Sequence, residues 1–178
     1  MADDVLDRYR RASDWTVEKV EGAVDQLDRP TLNEGWDVRT LLNHMLQTQQ
    51  YFVRSARGED ASPPMGQPPE SVGDDPVATF RDARDETIET FSEPGVIEKT
   101  GPALGIAFSD TLLHGWDLAR STGQDTTMPT GLAQAAYDTV YGRFTEEQRK
   151  GVFKPEISVG PDASPQQRLL AYTGRQPG

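Results

Sequence analysis

The chain has 178 residues, a formal net charge of -11 and no cysteine. Disulfides, zinc knuckles, iron–sulfur clusters and a protein-borne thiol nucleophile are excluded, and the acidic balance speaks against binding a nucleic-acid backbone. Leu, Ile, Val and Phe supply 35 residues, just under one fifth of the chain, and with a large net charge that share is the compositional flag of disorder.

Periodicity answers the flag. Residues 4–28 carry Leu6, Tyr9, Ser13, Val17, Val20, Val24 and Leu27 at spacings of three and four, which predicts an amphipathic helix stopped by Pro30. Residues 37–57 predict a second helix with Asp37 as N-cap. Trp36 and Leu41 are placed for a hydrophobic staple, and Leu41, Leu42, Met45, Leu46 and Phe52 form the apolar face. Five prolines and three glycines make residues 58–76 a loop, long enough to be a lid or a bundle crossover. A third helix follows over 77–92, then a short extended piece over 96–102. A fourth helix spans 103–122 with Gly123 behind it, and a fifth spans 130–144. The tail from 151 reads as irregular, ending in one helical turn (165–172) whose Leu169, Leu170 and Tyr172 dock on the bundle. The expectation is a single all-α domain over 1–178, with patterning rather than average composition deciding what is buried. No apolar run reaches the roughly 18 residues of a membrane span. Residues 1–4 lack the basic flank and apolar stretch of a leader, so a cytoplasmic protein with no membrane partner is expected.

The chain has two histidines, His44 and His114, each in the middle of an amphipathic helix. Asp110 lies four residues before His114, so both fall on one helix face and can chelate one ion. A His from a neighbouring helix would complete a three-ligand set of the kind that suits zinc, nickel, iron or manganese and leaves an open position. The same residues also suit a buried core histidine and an ordinary Asp–His salt bridge. Spacing does not say whether His44 and His114 meet.

The run Gly35-Trp36-Asp37-Val38-Arg39-Thr40-Leu41-Leu42-Asn43-His44 resembles the Trp-x-Val-Arg-x-Leu-x-x-His signature of DinB-like proteins. Within them it resembles the metal-binding domain of mycothiol-dependent maleylpyruvate isomerase. Asp110-x-x-x-His114-Gly115-Trp116-Asp117-Leu118-Ala119-Arg120 resembles the second signature of that group, and residues 165–172 resemble the tail of its short actinobacterial members. The resemblance implies a DinB-like four-helix bundle with an added C-terminal helix and an irregular tail. It implies one divalent metal, usually zinc, on His44, Asp110 and His114. It also implies a thiol such as mycothiol at the open position, acting on a small electrophile in isomerisation or S-transfer. Two departures stand out: the isomerase has Glu where Asp110 stands, and its second domain does not fit in this length.

A metal-bound thiol is held as thiolate, and a chain without cysteine needs such a co-substrate. Asn43 and Asp117 are candidates for orienting ligands or substrate. Trp36 and Trp116 serve as core residues or pocket walls. Arg39, a cation in a first helical turn, asks for a partner such as Asp117. Two rival readings remain: a hydrolase that activates water on the metal without any thiol, and a non-catalytic metal-binding stress or interaction module. A monomer or a homodimer fits equally. Because the apolar core is thin, the metal-free protein is expected to be less stable than the metal-bound one.

Overall fold

The computed structural model describes residues 2–178, with side chains from residue 5 onward; Met1, read above with the leader, lies outside the described residues. All regular elements described are helices. They fall into two compact units, one up to Thr127 and one from Met128 to Gly178.

The larger unit holds α1 (Ala2–Glu21), α2 (Val38–Ala56), α3 (Pro76–Ser92), α4 (Val96–Thr100) and α5 (Ala103–Thr122). α1 packs on α5 and α3, and α2 packs on α3 and α5, so α1 and α2 stand diagonally across a four-helix bundle. Thr16 Oγ1 donates to the Thr111 carbonyl and Gln124 Nε2 to that of Lys19, so α1 and α5 run parallel. The pairs Asp14–Arg84 and Glu21–Arg81 make α3 antiparallel to α1. Val72 meets Asn43 and Thr90 meets Arg57, so α2 and α3 run parallel. It follows that α2 runs antiparallel to α5. A parallel α2–α3 pair needs the chain to return along the bundle between them, which explains the length of the 57–75 connection.

α1 ends at Glu21, seven residues before the predicted stop, and turns occupy 22–25. Gln124 explains the early end. Its Nε2 donates to the carbonyl of Lys19 and takes up an acceptor that another helical turn would otherwise use. Its side chain also fills the space where a Cβ on Gly22 would stand. Val24, expected to face inward, is 37% exposed as a result. α2 starts as predicted: Asp37 Oδ1 accepts from the Thr40 amide at 2.8 Å. Leu41 is fully buried in the core, while the Trp36 ring lies 5.1 Å from that of His44. The piece expected to be extended over 96–102 holds instead the short helix α4, set off by Gly95 at φ 81°.

The smaller unit holds α6 (Leu132–Val140), α7 (Glu146–Val152) and α8 (Pro165–Tyr172), with α8 packed on α6. Tyr141 is extended and Gly142 left-handed, so α6 ends four residues short of the prediction. The tail is irregular apart from α8, as predicted, while α7 starts just before it in a stretch the sequence reading left unassigned. Capping boxes at Thr145/Gln148 and Ser164/Gln167 start α7 and α8. Leu169, Leu170 and Tyr172 are buried, and the Arg149 guanidinium sits 4.2 Å over the Tyr172 ring. Among the described residues no helix is long and apolar enough to cross a membrane.

Candidate metal centre

α5 is held close to α1 by the absence of a side chain. A Cβ at Gly115 would stand 2.5 Å from Thr16 Oγ1 and 2.9 Å from the Trp15 ring, so only glycine permits this approach. The next residue on the N-terminal side, His114, faces α2. There its ring meets that of His44, edge to face, with centroids 5.0 Å apart. Two histidines separated by seventy residues therefore meet in the bundle interior, which spacing alone left open.

The rest of the site is built on His114. Its Nε2 lies 3.4 Å from Asp110 Oδ1, one turn back on α5, and its Nδ1 lies 3.0 Å from Asp117 Oδ2, three residues ahead. The two carboxylates bracket the ring. Asp117 is buried and fixes the orientation through Nδ1, which leaves Nε2 toward Asp110. A carboxylate behind Nδ1 is the usual support of a metal-ligating histidine.

Burial lowers the His44 pKa to about 4, reinforced by the nearby His114, so His44 is a neutral base at pH 7. Burial also works against charge on His114, but Asp110 and then Asp117 outweigh it and raise its pKa to about 9. One ring thus offers a lone pair while the other holds a proton between two carboxylates.

The donors suit a divalent ion. Two ligands on one tetrahedral zinc stand about 3.3 Å apart, and two imidazoles on it have ring centroids about 5 Å apart. The distances here are 3.4 Å for Asp110–His114 and 5.0 Å for His44–His114. A charge-assisted hydrogen bond alone would draw Asp110 and His114 in to about 2.7–2.9 Å. Among the described residues no three His, Asp or Glu side chains are already drawn into one metal-holding group. Side-chain rotation at His44 or Asp110 is the adjustment left.

The other sequence candidates separate. Asn43 is 5% exposed and fully used: its Oδ1 accepts from the amides of Ser71 and Val72, and its Nδ2 donates to Glu70. Arg39 pairs with Glu70 at 2.8 Å, not with Asp117, whose partner is His114. The Asn43 hydrogen bond, and then Arg39, hold the Glu70 carboxyl below its ordinary range. Asn43 and Arg39 therefore tie the 70–72 strap to α2. Trp116 is a buried core residue, and Trp36 is half-buried against His44.

Two residues escaped the sequence reading. The Gln47 Oε1 is buried and meets no donor, and the Tyr9 hydroxyl is buried beside Thr87, Thr111 and Asp110. Gln47 lies three residues after His44, a same-face spacing that could have flagged it. Tyr9 looks like any apolar-face aromatic in sequence. Burial pushes its hydroxyl pKa up to about 12, and Asp110 acts on it in the same direction.

Residues 6–119 match the family described as mycothiol maleylpyruvate isomerase N-terminal domain. Two proteins of Mycobacterium tuberculosis, uncharacterized protein MT0763 (strain CDC 1551) and uncharacterized protein Rv0738 (strain H37Rv), are each 30% identical over 191 residues. The match covers 97% of this chain and 98% of each relative. No solved structure matches the chain. The matched segment spans well over half of the sequence and contains His44, Asp110 and His114, so the protein belongs to the mycothiol maleylpyruvate isomerase N-terminal domain family.

Proposed function

We propose that the protein is a cytoplasmic, divalent-metal-dependent enzyme of the transferase or isomerase type. It uses a low-molecular-weight thiol, mycothiol or a close analogue, against a small electrophile. The observation that carries this reading is the meeting of His44 and His114 from antiparallel helices, with Asp110 3.4 Å from His114 Nε2. His44, Asp110 and His114 hold the ion, with zinc the best match to an N,N,O set at these distances. When bound, the ion keeps the thiol as its thiolate at neutral pH and polarises an oxygen of the electrophile.

The chain's own residues prepare that chemistry. His44 is neutral and ready to ligate, because burial holds its pKa at about 4. Asp117 holds His114 by Nδ1 so that Nε2 faces the site. Asp110 is more exposed than the two groups it stands with, its side chain 30% exposed against 13% for His114 and 6% for Asp117, so an incoming thiol would meet the set on its side. The chain has no cysteine, so the thiol comes from the co-substrate.

Elemental analysis of untagged protein, followed by calorimetric titration with mycothiol, tests the reading. About one divalent ion per chain and mycothiol binding only to the metal-loaded form are expected. Single replacement of His44, Asp110 or His114 by Ala should abolish stoichiometric metal. Turnover without thiol would instead favour metal-activated water. Metal that raises the melting temperature without any thiol binding would favour a non-catalytic module.

A further inference from the structure

Gln47 carries a polar atom that the fold does not use. Its Oε1 is buried and meets no donor. Leaving a buried acceptor unmatched costs its desolvation, so such atoms mark either a fault in packing or a place kept for a ligand. Position separates the two. Gln47 sits one turn after His44, on the same face of α2. Because α2 and α5 are antiparallel with His44 opposite His114, one turn forward on α2 corresponds to one turn back on α5. That is the level of Asp110, whose side chain is 30% exposed. The unmatched oxygen is therefore buried at the level of Asp110 on the candidate metal set. The opposite flank of His44 is covered by Trp36, 5.1 Å away.

An amide oxygen only accepts. It recognises an N–H or O–H group and gives nothing to an apolar chain or a bare anion. Resting on the reading above, we propose that Gln47 is a specificity-determining residue: its Oε1 accepts a hydrogen bond from an N–H or O–H group on the thiol that binds beside Asp110. The site then favours thiols with polar substituents near the sulfur, such as the amide-bearing mycothiol, over simple alkyl thiols.

The test compares two probes on zinc-loaded protein, mycothiol and ethanethiol, which both offer a sulfur but of which one carries N–H and O–H donors. Gln47→Leu and Gln47→Met remove the acceptor at similar volume. Both variants should keep wild-type zinc stoichiometry and lose up to about tenfold in mycothiol affinity, the size of one neutral hydrogen bond. Ethanethiol affinity should not change. The metal-free variants should melt at or above the wild-type temperature, because an unmatched buried acceptor has been removed. Equal loss for both thiols, no loss for either, loss of zinc from a folded variant, or a lowered melting temperature would each overturn the proposal. Wild-type protein that takes up no zinc or no mycothiol would overturn the functional reading beneath it. Wild-type binding with indifferent variants overturns only the role of Gln47.

Discussion

Where α2 begins, the bundle is closed by Val38, Leu41 and Leu42 against Val17, Val20 and Phe80, all buried in one apolar cluster. Further along the same helices the interior is mixed. Val53, Phe91, Leu104 and Phe108 are buried there too, but half-buried His44, Asp110 and His114 stand beside them, and the unmatched oxygens of Gln47 and Gln49 lie toward that end. The first region spends its buried volume on dispersion and transfer free energy. The second places charge and unsatisfied acceptors where apolar groups would be more stable, a known trade between stability and function. Stability should therefore be read at one end and ligand binding at the other.

The largest expected effect tests that separation directly. Leu42→Ala removes a side chain with no exposed surface and should cost about 2–5 kcal/mol, lowering the melting temperature by roughly 5–15 °C. His44→Ala in metal-free protein removes a ring that burial already disfavours as a cation, and should leave the melting temperature within a few degrees of wild type. Metal content should respond in the opposite order, kept by refolded Leu42→Ala and lost by His44→Ala. Thermal denaturation with elemental analysis checks both. A His44→Ala protein as unstable as Leu42→Ala would erase the distinction between the two regions.

Much of the apolar end was legible in sequence, because Val17, Val20, Leu41, Leu42 and Phe80 repeat at the helical period. The warning drawn from an apolar share of one fifth failed for the same reason: the few large residues are placed where they meet. The site was legible only as separate halves. Asp110 and His114 share one helix and can be paired by counting, whereas the His44–His114 contact depends on how α2 and α5 pack. The partner of Arg39 was misjudged because Glu70 lies on a strap whose path no periodicity encodes. The early end of α1 depends on Gln124, more than a hundred residues away in sequence. The short helix α7 was signalled locally by Thr145-x-x-Gln148, but weak apolar periodicity hid it, whereas Leu169, Leu170 and Tyr172 made α8 legible.

Protons sharpen the comparison further. In the metal-free protein the raised His114 pKa, about 9, contributes stability that is full below the unfolded value near 6.5 and lost as pH rises through 9. The lowered His44 pKa, about 4, contributes stability present above about 6.5 and lost as pH falls through 4. Stability from this pair is therefore greatest between those limits. Metal binding has the opposite slope on the alkaline side, because the ion must displace the His114 proton. Apparent metal affinity should rise about tenfold per pH unit from pH 7 to 9, then level. Competition titrations with a chromophoric chelator, corrected for the chelator's own protonation, measure the slope. A flat profile would mean that His114 gives up no proton and does not ligate.

The smallest effect concerns the strap that crosses from α2 to α3. Asn43 lies next to His44 in sequence, yet its amide holds Glu70, Ser71 and Val72 rather than facing the ligands. Asn43→Ala leaves two buried or half-buried backbone amides without their acceptor and should cost about 1–3 kcal/mol. The loss should be local. Amide exchange at Ser71 and Val72 should quicken well before that in α5, because a strap held by side-chain bonds opens without unfolding the bundle. Metal stoichiometry should stay at the wild-type value. An Asn43→Ala protein that keeps slow exchange at Ser71 and Val72 but loses its metal would move Asn43 from the strap to the site, and with it the boundary between the two regions.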